Sequence, residues 1–198
     1  MSAAEKRFPT GEQYLAWERE ADFKSEYLAG EIYAMSGASL EHNTIASNLN
    51  GELRSQLKDR PCRVLGSDMR VQVEAADAYF YPDLSGLCGG FDFHDERKDT
   101  YKTPHFVIEI LSASTESYDR GKKFFHYQTL PSLREYVLVS QGEAAVEIYR
   151  KEGDRWIYQL LTGSRAELRL ESVDCTVPLS EIYRNVTFSA EPPTSTTP

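Results

Sequence analysis

Two acidic residues lie in stretches of the sequence that are otherwise apolar. Glu109 interrupts the run His105–Leu111, whose composition predicts a strand covered on both faces. A charged carboxylate in such a layer is costly unless it has a partner or a cation. Asp83 follows Pro82 within Tyr79–Leu87, a second run that predicts a strand. If the two strands are neighbours in a sheet, the two carboxylates converge.

A pair of convergent carboxylates is typical of a site for a hard divalent cation. Mg²⁺ prefers oxygen ligands and usually takes one or two carboxylates, while water and substrate phosphate complete its shell. In that role it lowers the pKa of a bound water and stabilises negative charge on a phosphate oxygen. A structural interpretation stays open, in which Asp83 belongs to a turn and Glu109 pairs with an arginine such as Arg70.

The helix predicted after the strand of Glu109 adds a lysine. Tyr118–Thr129 is expected to be helical, and Asp119, Lys123 and Tyr127 are spaced four apart, which places them on one face. A lysine there could orient or deprotonate an attacking water and balance the charge of a phosphate. The spacing alone favours a plainer interpretation, a solvated Asp119–Lys123 pair that adds little stability.

Glu26 and His42 are further candidates. Glu26 lies on a predicted hairpin, Lys24–Met35, where the ordinary expectation is a side chain in solvent. His42 lies in the longest predicted helix, Ser39–Lys58, as an extension of its apolar stripe, where a histidine is more often a core or interface residue than a ligand. The four histidines show no spacing typical of zinc ligands, and the chain contains no G-x-S-x-G, Walker A or G-x-G-x-x-G pattern.

Periodicity and capping signals predict the elements that must position these residues. Thr10 and Gln13 form a capping-box pattern that opens a short helix reaching about Arg19. Further predictions are strands at 62–65, 69–74, 135–140, 144–150 and 155–161, a polar loop at 88–103, and core positions for Phe124 and Phe125. The order of helices and strands predicts an α/β or α+β fold built around one sheet.

Length and composition limit the class of protein. The 198 residues fit one domain, predicted to span 1–188, and the Ser-, Thr- and Pro-rich segment 189–198 is expected to be disordered. With 31 acidic and 22 basic residues the formal charge is −9, which excludes a protein that coats nucleic acid through bulk positive charge. No run approaches the roughly 18 apolar residues that a spanning helix needs, so no membrane partner is expected.

The three cysteines, Cys62, Cys88 and Cys175, are widely spaced. Because no C-x-x-C pattern occurs, the sequence predicts neither a zinc site nor a disulfide framework. This usage is typical of a reducing compartment, and the expected location is cytoplasmic.

Six short motifs occur in order along the chain. They are Glu-Tyr-x-x-Gly-Glu-Ile (26–32), Glu-His-Asn (41–43), Pro-Asp-Leu (82–84), Val-Ile-Glu-Ile-Leu-Ser-x-Ser-Thr (107–115), Asp-x-Gly-x-Lys-x-x-x-Tyr (119–127) and Glu-Tyr-x-Leu-Val (135–139). Together they resemble the Uma-two type endonucleases, a branch of the PD-(D/E)XK, or restriction-endonuclease-like, nuclease superfamily. The resemblance covers about residues 8 to 186. It implies a mixed central sheet flanked by helices, with an N-terminal helix and a β-hairpin added.

The resemblance also implies roles for individual residues. Asp83 is the acid of the Pro-Asp pair, Glu109 is the second metal-binding acid, and the backbone carbonyl of Ile110 is a third ligand. The lysine usually found two residues after the glutamate is replaced here by Leu111. In the resembling family this lysine has moved to the following helix, where Lys123 stands.

Other matched positions have looser roles. Glu26 matches an acid of the first helix or hairpin that often adds to the metal site. His42, Asp119 and Tyr127 recur in the motifs and are expected to support the site, although no physical role follows for His42.

The implied activity is a Mg²⁺-dependent endonuclease that hydrolyses DNA phosphodiester bonds, with Mn²⁺ able to substitute. A different class stays open, a non-catalytic module of this fold that binds nucleic acid or protein, which Leu111 and the acidic charge favour. A third option is a hydrolase of small nucleotides. DNA binding is expected to be weak and strongly salt-dependent. A homodimer is also expected, in which an apolar strand near the C-terminal hairpin pairs across a two-fold axis.

Overall fold

The computed structural model describes residues 3–7, 10–163 and 165–188, so the predicted tail at 189–198 lies outside the described residues. In its first half the elements are β1 (Ala3–Arg7), α1 (Gly11–Glu18), β2 (Ser25–Leu28), β3 (Glu31–Ala34), α2 (Leu40–Leu57), β4 (Cys62–Gly66), β5 (Arg70–Val73), β6 (Ala78–Phe80) and β7 (Leu84–Cys88). They continue with β8 (Thr100–Tyr101), β9 (Phe106–Leu111), α3 (Glu116–Tyr118), a π-helical turn (Asp119–Lys123), α4 (Phe124–Tyr127), β10 (Glu135–Ser140), β11 (Ala145–Glu152), β12 (Arg155–Thr162), β13 (Glu167–Leu170), β14 (Cys175–Pro178) and α5 (Leu179–Ile182).

Most strands belong to two sheets. The first has the order β1-β3-β2-β6-β5-β8 and the second has the order β12-β11-β10-β9-β7-β4. In the second sheet β9 and β10 run parallel, whereas the other neighbours are antiparallel. This is the mixed sheet flanked by helices that the sequence predicts, and the fold class is confirmed. The expectation of one sheet is wrong, because the hairpin β2–β3 joins β6, β5 and β8 in a separate sheet.

The chain passes from the first sheet to the second at Tyr81-Pro82-Asp83. The prediction of one strand over Tyr79–Leu87 is therefore wrong, since β6 ends at Phe80 and β7 begins at Leu84. Pro82 has no backbone N–H to donate and cannot extend a central strand ladder. Asp83 consequently lies at a bend between the sheets, directly before β7.

Both faces of β9 are covered, as predicted. Phe106, Ile108 and Ile110 belong to the core cluster that contains the apolar stripe of α2. Val107 lies on the opposite face, in a second cluster formed with the first sheet and α4. Alternation places Glu109 on that second face, where it is 4% exposed. The strand thus carries a carboxylate into the layer between the two sheets.

The helical segment after β9 is interrupted by the π-helical turn Asp119–Lys123. Such turns accommodate an extra residue within a helix and are frequent at functional sites. Phe124 follows this turn and packs in the core, whereas Phe125 is 66% exposed. Neighbouring helical residues point about 100° apart, so the prediction that both phenylalanines face the core is wrong.

Cys62 and Cys88 form a disulfide, contrary to the prediction from cysteine spacing. The two residues lie opposite each other in the β4–β7 pair, with their Cα atoms 3.9 Å apart. A separation of 26 residues forms no local motif, so only the strand register brings the thiols together. Cys175 is free and buried. Within the described ranges, no helix has the length and apolar character needed to cross a membrane.

Candidate functional site

A cleft of about 640 Å³ opens between the N-terminal hairpin, the start of α2 and the end of β9. It is lined by seven of the eight predicted site residues, namely Glu26, His42, Asp83, Glu109, Ile110, Asp119 and Lys123. The eighth, Tyr127, does not line the cleft. It is buried among aromatic side chains and contacts Phe80 and Tyr136, with ring centroids 5.2 and 5.6 Å away. The fold thus brings together residues from five separate parts of the chain.

Asp83 is held at its bend by two contacts. The backbone N–H of Ile110 donates to Oδ2 at 2.7 Å, and Nε2 of His42 lies 3.0 Å from Oδ1. The strands β7 and β9 are paired, with Leu84 opposite Ile108. The two strands are therefore neighbours, as the sequence argument required. Asp83 accepts a hydrogen bond from the backbone of Ile110, the residue after Glu109.

His42 reaches the cleft from the first turn of α2. The Ser39 hydroxyl caps this helix by accepting the His42 backbone N–H at 3.0 Å, and it contacts Oε1 of Gln141 at 2.7 Å. The buried apolar stripe of α2 begins only at Ile45. His42 is therefore a cleft residue that contacts Asp83, not a core residue of the helix.

One ammonium group serves three carboxylates in the cleft. Nζ of Lys123 lies 2.8 Å from Oε1 of Glu26, 2.9 Å from Oε1 of Glu109 and 3.8 Å from Oδ1 of Asp119. Lys123 and Asp119 are each 4% exposed. The interpretation of Asp119 and Lys123 as a solvated surface pair is wrong, because the first sheet covers this side of the helix.

Glu26 enters the cleft from β2 and is 2% exposed, so the expectation of a side chain in solvent is wrong. The backbone N–H of Tyr81 donates to Oε1 of Glu26 at 2.9 Å. Its Oε2 atom is buried and has no hydrogen-bond partner among the described residues. A buried acceptor without a donor is costly, which leaves this oxygen available to a bound cation or ligand.

Three buried acids in the cleft surround one buried lysine. Burial raises the pKa of Glu26 and of Asp119, and it raises the pKa of Glu109 well above its ordinary value, against the opposing effect of Lys123. Burial also opposes the charged form of Lys123, but the three carboxylates keep the pKa of this lysine well above its usual range. Lys123 is therefore protonated at neutral pH, and the neighbouring carboxylates exceed it in number.

The available donors suit a hard divalent cation. The unpaired Oε2 of Glu26 and the carboxylates of Asp83 and Glu109 supply oxygen atoms, the ligands that such a cation prefers. Across the part of the chain that the structure describes, no group of three or more His, Cys, Asp or Glu side chains is arranged to hold a metal. The set that fits is therefore two carboxylates with backbone carbonyl, water and substrate oxygens, as Mg²⁺ commonly uses.

Arg70 is not the partner of Glu109, so that alternative is wrong. Its guanidinium lies 2.5 Å from Oδ2 of Asp99 and donates to the Tyr81 hydroxyl at 3.0 Å. The same hydroxyl donates to Glu18 at 3.0 Å. This buried network stands beside the cleft and fixes Tyr81, whose backbone N–H in turn holds Glu26.

Sequence reasoning missed the hydroxyl groups that line the cleft. Three short loops supply them, before α2, between β4 and β5, and after β9, and the residues are Ser36, Ser39, Ser67, Ser112, Ser114 and Thr115. Their position in the sequence could have indicated a role in the site, since Ser112 directly follows the strand that carries Glu109. Loops at the end of a site-bearing strand are a common source of ligand contacts.

Comparisons with known proteins agree with this architecture. A family model described as "Uma2: Putative restriction endonuclease" matches residues 12–180. "Uncharacterized protein sll1609" of Synechocystis sp. is 37% identical over 169 residues, which cover 85% of this chain and 96% of that protein. "Uncharacterized protein slr1290" of the same organism is 36% identical over 179 residues, covering 89% and 92%.

A solved structure shares the fold. It is described as a "putative nuclease belonging to DUF820" from Anabaena variabilis, and it matches with a TM-score of 0.72 over 88% of this chain and 97% of its own. At 19% identity this likeness concerns the fold alone. The family match, which extends over most of the chain, shows that the protein belongs to the Uma2 family of restriction-endonuclease-like proteins.

Proposed function

We propose that the protein is a Mg²⁺-dependent endonuclease that hydrolyses phosphodiester bonds in DNA. The observation that supports this proposal is the meeting of Asp83, Glu109 and Lys123 in one cleft, although they come from an inter-sheet bend, a central strand and a π-helical turn. Acids from distant parts of the chain that share a cleft with a buried lysine suit a cation-assisted phosphoryl reaction.

Asp83 and Glu109 would hold the metal, with the backbone carbonyl of Ile110 as a third ligand. Oε2 of Glu26 is a further buried oxygen that could add to this set. When bound, Mg²⁺ would supply a water of lowered pKa and offset charge on the phosphate. His42 restricts Asp83 through its 3.0 Å contact, so the carboxylate needs little reorientation on binding.

Lys123 acts by position and charge. Its raised pKa keeps it protonated at neutral pH, which suits orienting a water and balancing a phosphate better than removing a proton. Glu26 and Asp119 hold the ammonium from two sides at 2.8 and 3.8 Å. The lysine therefore stays in the cleft even though Leu111 occupies the usual position of the catalytic lysine.

The charge of −9 limits how the protein binds DNA. A mostly acidic surface repels the DNA backbone, so affinity is weak and depends on local contacts between basic side chains and phosphates, which rising salt weakens. Mn²⁺ should substitute for Mg²⁺, because both accept oxygen ligands in similar geometry. A cytoplasmic location follows only from a DNA substrate inside the cell, because the Cys62–Cys88 disulfide is typical of an oxidising compartment and removes the support from cysteine usage.

The decisive experiment separates metal binding from cleavage. Mn²⁺ binding is measured by electron paramagnetic resonance, and cleavage is measured on supercoiled plasmid with Mg²⁺ or Mn²⁺. Asp83→Asn and Glu109→Gln should each weaken Mn²⁺ binding by about tenfold or more and reduce cleavage by about a hundredfold. The matched control is Asp59→Asn, which changes an exposed acid outside the cleft.

One alternative retains support from the sequence, a non-catalytic module for nucleic acid or protein, because Leu111 replaces the usual lysine. Wild-type protein that binds no Mn²⁺ and leaves plasmid intact would contradict the proposal in favour of this module. Equal cleavage by wild type and both cleft variants would contradict the assigned residues. Cleavage of dinucleotides without cleavage of plasmid would indicate a small-nucleotide substrate.

A further inference from the structure

We propose that the free edge of the second sheet, strand β12, pairs with β12 of a second copy of this chain. The strand lies last in the sheet order and has one neighbour, β11, among the described residues. Three of its large apolar side chains are about half exposed, with Ile157 at 43%, Tyr158 at 51% and Leu160 at 52%. An exposed edge with apolar side chains is a template for strand addition.

The β12 edge lacks the features that normally prevent pairing. Its register with β11 is continuous from Arg155 opposite Glu152 to Thr162 opposite Ala145, so no bulge interrupts it. The residues from 156 to 162 include no charged side chain and no proline. Eight residues is also long for an unprotected edge strand.

Two other sheet edges have protection that β12 lacks. β8, an edge of the first sheet, has two residues. β4, the opposite edge of the second sheet, is tied to its neighbour by the Cys62–Cys88 disulfide and carries a charge at Arg63. Short length and edge charges are ordinary means of discouraging strand addition.

The strand is complementary to itself in the antiparallel direction. A two-fold axis perpendicular to the sheet keeps every side chain on its own face, so opposed residues must lie on the same face of both copies. A register centred on Tyr158 pairs that residue with the partner's Tyr158 and places Trp156 opposite the partner's Leu160. Arg155 then faces the partner's Leu161, and no like charges are opposed. Aromatic and aliphatic cross-strand pairs of this kind are stabilising.

This symmetry identifies a second copy as the occupant. One antiparallel pairing satisfies both free edges at once and leaves no new edge, whereas a foreign strand would satisfy one. Net charge adds a discriminating feature. Two copies at −9 repel each other, and because salt screens this repulsion, dimerisation should strengthen as salt rises. Binding to DNA should change in the opposite direction.

The experiment measures self-association of the full chain by sedimentation equilibrium over about a hundredfold range of concentration. Tyr158→Lys and Leu160→Lys should each weaken the dimer by about tenfold or more, since they place a charge in the paired strands. The matched control is Phe125→Lys, which changes an apolar side chain that is 66% exposed on α4. It should leave the dissociation constant unchanged.

Hydrogen exchange of the wild-type protein is a second measurement of the same pairing, and it needs no variant. The amides of β12 that point away from β11 should be protected at high protein concentration and exchange faster on dilution. A monomer at every concentration would overturn the proposal, as would a dimer that both lysine substitutions leave intact. Protection of β12 that does not change on dilution would also overturn it, because the edge would then be covered by the same chain.

Discussion

The ammonium of Lys123 lies 2.8 Å from Glu26 on β2 of the first sheet. It also lies 2.9 Å from Glu109 on β9 of the second sheet. One cation therefore joins the two sheets across the cleft. Taking it out of water is costly, and the neighbouring carboxylates offset this cost. Stability and the proposed chemistry consequently depend on the same side chain.

Replacing Lys123 by alanine should destabilise the protein severely. The substitution leaves Glu26, Glu109 and Asp119 buried without a cation, and breaking a buried pair in this way costs about 3–5 kcal/mol. The free energy of unfolding is measured by urea denaturation at neutral pH. Lys122→Ala is the control, because Lys122 is exposed next to it, and it should change the value by no more than about 0.5 kcal/mol. Equal effects of the two would refute the assigned pairing.

Asp119→Asn should stabilise the protein at neutral pH. Burial raises the pKa of Asp119 in the folded state above its ordinary value of 3.8. Between pH 3.8 and the raised pKa of the folded state, the folded protein binds more protons at Asp119 than the unfolded chain does. The free energy of unfolding of the wild type therefore falls as pH rises through this range. The asparagine variant does not pay this cost and should therefore be more stable than the wild type at pH 7.

The raised pKa of Asp119 also determines how the stability gained by Asp119→Asn depends on pH. Below the ordinary pKa of 3.8 both states of the wild type are protonated, so the advantage of Asp119→Asn should vanish. Thermal unfolding from acid to neutral pH measures it, with the exposed Asp59→Asn as control. An advantage that persists unchanged into acid would show that the gain has another cause.

Gly86→Ala should destabilise the protein, whereas Gly51→Ala should stabilise it. A Cβ at Gly86 would lie 2.4 Å from the Arg63 carbonyl oxygen and 2.6 Å from the Phe106 ring, so β7 would have to shift away from its neighbours. Gly51 is exposed within α2, and nothing lies within 4 Å of its added Cβ. Alanine there should add about 1 kcal/mol through helix propensity. Urea denaturation measures both, and a loss of stability at Gly51 would contradict the structure.

The Cys62–Cys88 disulfide predicts a thiol count. Unreduced protein, unfolded in denaturant, should react with one equivalent of thiol reagent at Cys175, and reduced protein should react with three. Closing a loop of 26 residues should contribute about 3 kcal/mol of stability, which reduction would remove. Alkylation followed by intact mass measures the count. Three reactive thiols before reduction would show that the bond is absent in the protein as purified.

The local part of the site could be predicted from sequence. An apolar run around Glu109 indicates a buried strand, because that signal involves neighbouring residues. Pro82 interrupts the run Tyr79–Leu87, a local signal that the prediction of one continuous strand left unused. The environment of Lys123 could not be predicted in this way. Its spacing from Asp119 is the same in a surface pair and in a buried one, and burial depends on the first sheet, which contacts this helix from a distant part of the chain.

Long-range register explains the other differences. Cys62 and Cys88 have no local pattern, and the pairing of β4 with β7 alone makes them neighbours. Glu26 has the sequence context of an exposed hairpin, yet the hairpin is covered by the crossover at Tyr81 and by the helix that carries Lys123. Sequence periodicity describes which face of an element is apolar, but it does not describe which element will cover a polar residue.

The π-helical turn makes the cleft sensitive to the length of the chain at one point. Asp119 and Lys123 lie inside the turn, and Phe124 begins the regular helix that packs in the core. Deleting the exposed Gly121 would restore a continuous α-helix and rotate the two parts against each other by about 100°. Lys123 and Phe124 could then not keep their present directions relative to Asp119. A gap of one residue in this segment would thus rearrange the side chains of the candidate site, whereas the same gap in a distant surface loop would leave them in place.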